Sequence, residues 1–298
     1  KHLMDRTRED RIKKLVAKLP DNYHLVTNEI TFVGMLKLLE FEPIISVDTE
    51  TTGLDVYEDK IVGISLTLPI ADKHYYIPIR HNLKGTGWSQ LKPEYVLEKL
   101  RPYLEEEKHV KKVLHNAKFD IHMFMSHGIN FKGLAWDTQI AMHLLNENEK
   151  FEGGSYALKN LATKYLKEPS DTFSELFGKT RFDDIPLDVA LAYAAKDTDL
   201  TWRLYQFQLK HMLKLPQVLK VYEKIELPLA EVIISMEREG FIIDDEVAKQ
   251  LAKDYRAEIK EIETKLYDHF GDINFGSPMQ LSKVLFKKLK LDKHLPKG

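Results

Sequence analysis

The chain has no cysteine among its 298 residues. Disulfides, cysteine nucleophiles and thiolate zinc sites are therefore excluded, and a cytoplasmic setting is expected. Long hydrophobic runs are also missing: no stretch approaches the roughly 20 apolar residues of a membrane span, so no membrane association is expected. Lys1-His2-Leu3-Met4-Asp5-Arg6 leads into charged sequence instead of an apolar core, unlike a signal peptide. Nor is there an excess of one charge, since 44 Lys and Arg face 46 Asp and Glu. A chain so balanced does not coat nucleic acid over its whole surface, although a local basic patch can still bind. There is no Gly-x-x-x-x-Gly-Lys-Ser/Thr loop, and Gly85-Thr86-Gly87 lacks the third glycine of a dinucleotide fingerprint. His122 and His127 are five apart and share no helical face, and no nucleophile elbow announces serine chemistry.

What the sequence does hold is a globular balance, 43% hydrophobic and 30% charged, at a length suiting one large domain plus a smaller one. Residues 1–20 read as a basic lead-in helix, with Ile12, Leu15, Val16 and Leu19 at helical spacing and Pro20 ending it. A short strand at 23–26 and a helix at 31–39 follow. Three apolar runs rich in β-branched and aromatic residues, at 44–47, 61–68 and 75–79, predict an antiparallel meander. Helices then alternate with one further strand: helix 93–104, strand 110–115, helix 117–127 with Asn116 at its N-cap, and helices 138–145, 157–166 and 186–213. After Pro216 the chain is helical throughout, at 221–239 with an interruption at Pro228, at 246–270, and from Ser277-Pro278 onward. The expectation is an α/β domain with a mixed sheet over 21–212 and a smaller helical segment over 213–298.

The strand Ile44-Ile45-Ser46-Val47-Asp48-Thr49-Glu50 ends in two carboxylates one residue apart. Residues i and i+2 share a strand face, so Asp48 and Glu50 are crowded together and repel. A divalent cation between them relieves that repulsion; a strand end running into solvent accounts for them equally well. Asp120 falls in the first turn of a helix, where the helix dipole alone is reason enough for an acid. Asp197 follows Tyr193 by four residues, on one helical face, and the rim of a half-buried helix is the plain alternative. Together these positions supply four carboxylates and a phenol from three elements. Hard oxygen donors of that number suit two Mg²⁺ or Mn²⁺ ions. Two such ions roughly 3.5 to 4 Å apart clamp the attacking and leaving oxygens of phosphodiester hydrolysis.

This order and spacing resembles the proofreading 3′–5′ exonuclease domain of family A DNA polymerases, the relatives of bacterial DNA polymerase I. The resemblance runs from about residue 20 to the end and implies a ribonuclease H-like sheet, an antiparallel three-strand meander plus parallel strands, flanked by helices. It also implies a divalent-metal exonuclease that works on the 3′ end of single-stranded or frayed DNA. Matched residue by residue, Asp48, Glu50, Asp120 and Asp197 are the metal-site acids, and Tyr193 is the tyrosine that orients the attacking water. A related subclass carries histidine five residues before its last acid, where this chain has Ala192. Leu54 and Phe173 match an apolar wedge against the terminal bases, Asn116 a DNA-contacting asparagine, and Phe119 a position where relatives carry an aromatic residue. Core packing is the alternative for Leu54, Phe173 and Phe119, and helix capping for Asn116. Phe173 lies in a polar, loop-like stretch, Asp171-Thr172-Phe173-Ser174-Glu175.

The tail resembles the same family. Tyr222-Glu223-Lys224-Ile225-Glu226-Leu227-Pro228-Leu229 is similar to the start of the polymerase domain, and Ser277-Pro278-Met279-Gln280-Leu281 to the base of its thumb. Lys283, Lys287, Lys288, Lys290 and Lys293 make that end basic, as duplex contact or a solvated helix face requires. Palm and fingers have no counterpart in the sequence, so the chain is not expected to polymerise. Because it opens on a lysine, a piece of a longer polymerase is expected, monomeric, with the rest of that polymerase as its partner. Two readings compete. One is a stand-alone exoribonuclease of the ribonuclease D type with the same acids, against which the tail argues. The other is a catalytically silent domain that binds DNA or braces a polymerase, against which the complete set of acids argues.

Overall fold

The computed structural model describes residues 2–147 and 156–291; Lys293 lies outside them. Its strands are β1 (Tyr23–Leu25), β2 (Ile44–Thr51), β3 (Ile61–Leu68), β4 (Lys73–Pro78), β5 (Lys111–Leu114) and β6 (Leu134–Asp137). Its helices are α1 (His2–Ala17), α2 (Glu29–Leu39), α3 (Pro93–Leu104), α4 (Ala117–Ser126), α5 (Thr138–Leu145), α6 (Leu158–Leu161), α7 (Phe173–Phe177), α8 (Leu187–Met212), α9 (Pro216–Val221), α10 (Leu227–Glu239), α11 (Asp245–Phe270) and α12 (Pro278–Ser282). The chain divides into two compact units, Lys1–Arg238 and Glu239–Gly298.

The six strands form one mixed sheet in the order β1-β4-β3-β2-β5-β6. β2, β3 and β4 are the antiparallel meander, while β1 joins β4, β5 joins β2 and β6 joins β5 in parallel. β6 is an addition to the sequence reading, because Leu134-Ala135-Trp136-Asp137 is too short for a period of two to stand out.

Alternation along β2 sorts its side chains between two layers. Ile45 and Val47 are fully buried in a core with Phe32, Met35, Leu100 and Phe124, from the helices on one face. The intervening residues, Ser46, Asp48 and Glu50, therefore point to the opposite face. There α8 crosses the sheet against β1 through β5. It does so on small side chains, with Ala190, Ala194 and Ala195 fully buried beside Val62 and Tyr76. A helix faced with alanine can approach the strands closely.

Two details fix the end of β2. Gly63 on β3 pairs with Glu50, and a Cβ there would collide with the ring of Tyr76. The register then slips between Glu50 and Thr51, a bulge that ends the ladder just after the second acid. Because β5 runs parallel to β2, its carboxyl end lies along the same sheet edge, and α4 starts three residues beyond it.

Candidate active site

Asp48 and Glu50 from β2 meet Asp197 from α8. One carboxylate oxygen of each lies within 4.8 Å of the others. Asp120 on α4 stands beside this trio, not within it. Its Oδ1 accepts hydrogen bonds from the Thr49 backbone N–H at 2.9 Å and the Thr49 hydroxyl at 2.5 Å. Thr49 lies between the two β2 acids, so Asp120 is tied to the same three residues of strand.

The electrostatics follow from that crowding. Burial pushes the Asp48 carboxyl up to about 7, against the pull of the Lys159 ammonium. Burial, then the charge of Asp48, holds Glu50 well above the usual carboxylate range. Asp120 is raised by the same two causes, although the Thr49 hydrogen bonds oppose them. Three crowded, buried acids share a single lysine as countercharge, and the donor set is all carboxylate oxygen, which fits a hard divalent cation.

Tyr193 sits one turn before Asp197 with its ring in an aromatic cluster, 5.6 Å from Phe177 and 6.1 Å from both Phe173 and Phe182 between centroids. Burial, then the charges of Glu50 and Asp48, raises its hydroxyl far above the ordinary phenol range. Sequence reasoning missed Lys159. Its ammonium pairs with Asp197 Oδ1 and lies 4.5 Å from the Tyr193 ring centroid. The residue is only 8% exposed, and burial pulls its pKa down to about 7 although Glu50 and Asp48 pull it up. Its signal was a lysine beside the apolar Leu158 and Leu161 of one short helix.

The remaining sequence-matched residues, Leu54, Phe173, Asn116 and Phe119, lie outside the acid cluster and differ in exposure. Leu54 is 87% exposed, so core packing does not explain it. Its loop is braced from within, by Thr52 Oγ1 donating to Asp59 at 2.7 Å and the Asp55 N–H donating to Asp59 at 2.9 Å. Phe173 is not in a loop: it opens α7, where Thr172 and Glu175 form a reciprocal capping box, and its ring is partly buried. The polar sequence around it was the cap. Asn116 occupies the N-cap position of α4 in the left-handed region (φ 57°) but makes no side-chain cap bond. Asp137 does the capping, its carboxylate accepting the Ala117 N–H at 2.8 Å and the Asn116 N–H at 3.3 Å. Phe119 is partly buried against the main core, on the structural side of its two readings.

A mixed sheet with acids gathered at one edge, completed by a helix laid across its face, defines a ribonuclease H-like nuclease fold. The chain belongs to the 3′–5′ exonuclease family, whose model matches residues 23–214. It is 32% identical over 277 residues to DNA polymerase I of Pseudomonas aeruginosa, an alignment covering 91% of this chain and 30% of that protein. DNA polymerase I of Borreliella burgdorferi is also 32% identical, over 271 residues, covering 90% of this chain and 28% of the relative. The chain thus spans less than a third of the length of these relatives. Among solved structures it resembles the POL domain of Pol1 from M. smegmatis in complex with DNA primer-template and dNTP. That match has a TM-score of 0.62 at 21% identity, covering 89% of this chain and 41% of that one. Escherichia coli RNase D shares the fold at a TM-score of 0.50 and 19% identity, over 74% of this chain and 52% of that one.

Proposed function

We propose that residues 21–212 are a divalent-metal-dependent 3′–5′ exonuclease acting on the 3′ end of single-stranded or frayed DNA. In this reading it is the editing part of a polymerase I-type protein, and residues 213–298 are the start of the polymerase thumb. The observation that carries the reading is the meeting of Asp48, Glu50 and Asp197 beside Asp120, with Tyr193 one turn away. The four acids would hold two Mg²⁺ or Mn²⁺ ions. Bound there, such ions supply an activated water and neutralise charge on the phosphate under attack.

The chain's own residues do the rest. Burial and the charges of Glu50 and Asp48 favour the protonated Tyr193, so it donates a hydrogen bond and orients the attacking water instead of serving as a base. Asp120 is held by Thr49 and cannot swing away from the strand. Exposed Leu54 and the edge of Phe173 offer apolar contact to base faces, which tolerates any sequence, as editing requires. Asn116, with its side chain free of the cap, is available to the strand.

The test uses a single strand labelled at the 5′ end or the 3′ end. Stepwise shortening from the 3′ end in Mg²⁺, and none in EDTA, is expected, with loss of at least about a hundredfold in Asp48→Ala and Asp197→Ala. Full activity in both variants would remove the site assignment, and faster degradation of an RNA strand would move the substrate from DNA to RNA.

A further inference from the structure

We propose that Lys159 is a resident counter-ion of the carboxylate cluster, a tethered ammonium that a divalent cation must displace in order to bind. The inference rests on the metal-site reading above and adds a residue that the four-acid site does not contain. Three observations meet at it. Lys159 pairs with Asp197, one of three acids whose oxygens lie within 4.8 Å of one another. Its ammonium stands 4.5 Å from the ring centroid of Tyr193, so it touches both functional residues of α8. It is also buried where a lysine without a task would reach solvent: α6 sinks Leu161 entirely, and Lys159 itself is 8% exposed.

Three anions this close need a cation for the site to stay assembled, and Lys159 supplies one positive charge without any metal. The Asp197 oxygen it holds is a donor that an incoming ion would use, so ammonium and metal compete for it. Lys159 has somewhere to go, because it lines a cavity of about 640 Å³ whose other lining residues include the acids Glu168, Asp171 and Asp199, beside Lys196 and Arg203. The competition discriminates between ions by charge. A monovalent ion gains no more Coulomb attraction than the ammonium already there, and the ammonium has the advantage of being tethered; a divalent ion gains twice as much. Lys159 therefore keeps the site assembled, closed to Na⁺ and K⁺ and open to divalent metal, at a cost in divalent affinity.

The experiment is calorimetric titration of the whole chain with Mn²⁺ at pH 6.5, where Lys159 carries its proton, for the unaltered protein, Lys159→Gln, Lys159→Met and Lys159→Arg, with melting recorded in EDTA. Lys159→Gln and Lys159→Met should bind Mn²⁺ about tenfold or more tighter, because the competing charge is gone. In EDTA both should melt below the unaltered chain, since the acids lose their countercharge. Lys159→Arg should keep Mn²⁺ affinity at or below that of the unaltered chain. A purely structural lysine would lower melting but leave Mn²⁺ affinity unchanged in whichever neutral variant folds, and that result overturns the proposal. If the unaltered chain binds no Mn²⁺, the metal-site reading itself fails; if it binds and the neutral variants bind no tighter, only the counter-ion fails.

Discussion

The hydroxyl of Tyr193 lies where burial and two neighbouring carboxylates oppose any negative charge, and that decides what it can do. Burial and those charges favour the protonated phenol, whose O–H suits orienting a water rather than taking a proton from it. Tyr193→Phe keeps the ring contacts with Phe173, Phe177 and Phe182 and removes only the O–H. Turnover is expected to fall by roughly tenfold to a hundredfold, with Mn²⁺ affinity and melting temperature unchanged. An unaltered rate would make the residue part of the aromatic cluster and nothing more. At the same scale the structure separates positions the sequence left open. Asn116 and Leu54 each had a structural explanation, capping and core packing, and each loses it: Asp137 caps α4, and Leu54 faces solvent. Asp137 was not legible because the residue that caps a helix here is distant in sequence, on β6. Lys159 was not legible for a similar reason, since one lysine between apolar neighbours looks like any surface lysine until its helix is docked.

At the scale of elements, the site depends on how α8 is set against the sheet. β2, β3 and the long α8 were legible because β-branched runs and a 3.6-residue apolar period repeat many times over. The connection that seats α8 was not. His81, just past β4, faces the Tyr76 hydroxyl through Nε2 at 2.6 Å and the Ile185 carbonyl through Nδ1 at 3.1 Å, two residues before α8 begins. Nδ1–H donates to that carbonyl, and Nε2 accepts from Tyr76, which requires a neutral ring. Burial lowers the His81 pKa to about 4, so the folded chain binds fewer protons than the unfolded chain between about 4 and 6.5. Stability from this group is thus fully present above pH 6.5 and is lost as pH falls towards 4, at most about 3 kcal/mol. Urea unfolding of His81→Gln should show a shallower decline from pH 6.5 to 4.5 than the unaltered chain, though its stability at pH 7 is lower. Parallel declines would mean that His81 carries none of the acid sensitivity.

On the scale of the whole molecule, the two compact units are built differently, and the family match reaches only residue 214. The first unit buries strands on both faces; all eight residues of β3 are inaccessible. The second contains α11, 26 residues long with none buried. Val247, Leu251, Tyr255, Ile259 and Ile262 lie along it and are all about half exposed. Pairs such as Glu246–Lys249 and Glu261–Lys265 sit in water and contribute only a few tenths of a kcal/mol each. The sequence reads α11 correctly as a helix because its charge and apolar period are local properties. What would cover its apolar stripe is not a local property of the sequence. Without that cover the helix has little to hold it beyond its own hydrogen bonds. Hydrogen exchange followed by mass spectrometry should therefore find α11 amides exchanging orders of magnitude faster than those of β3 under native conditions. Protection of α11 equal to that of β3 would mean that the second unit is stable by itself, and that its exposed stripe needs no partner to hold the helix.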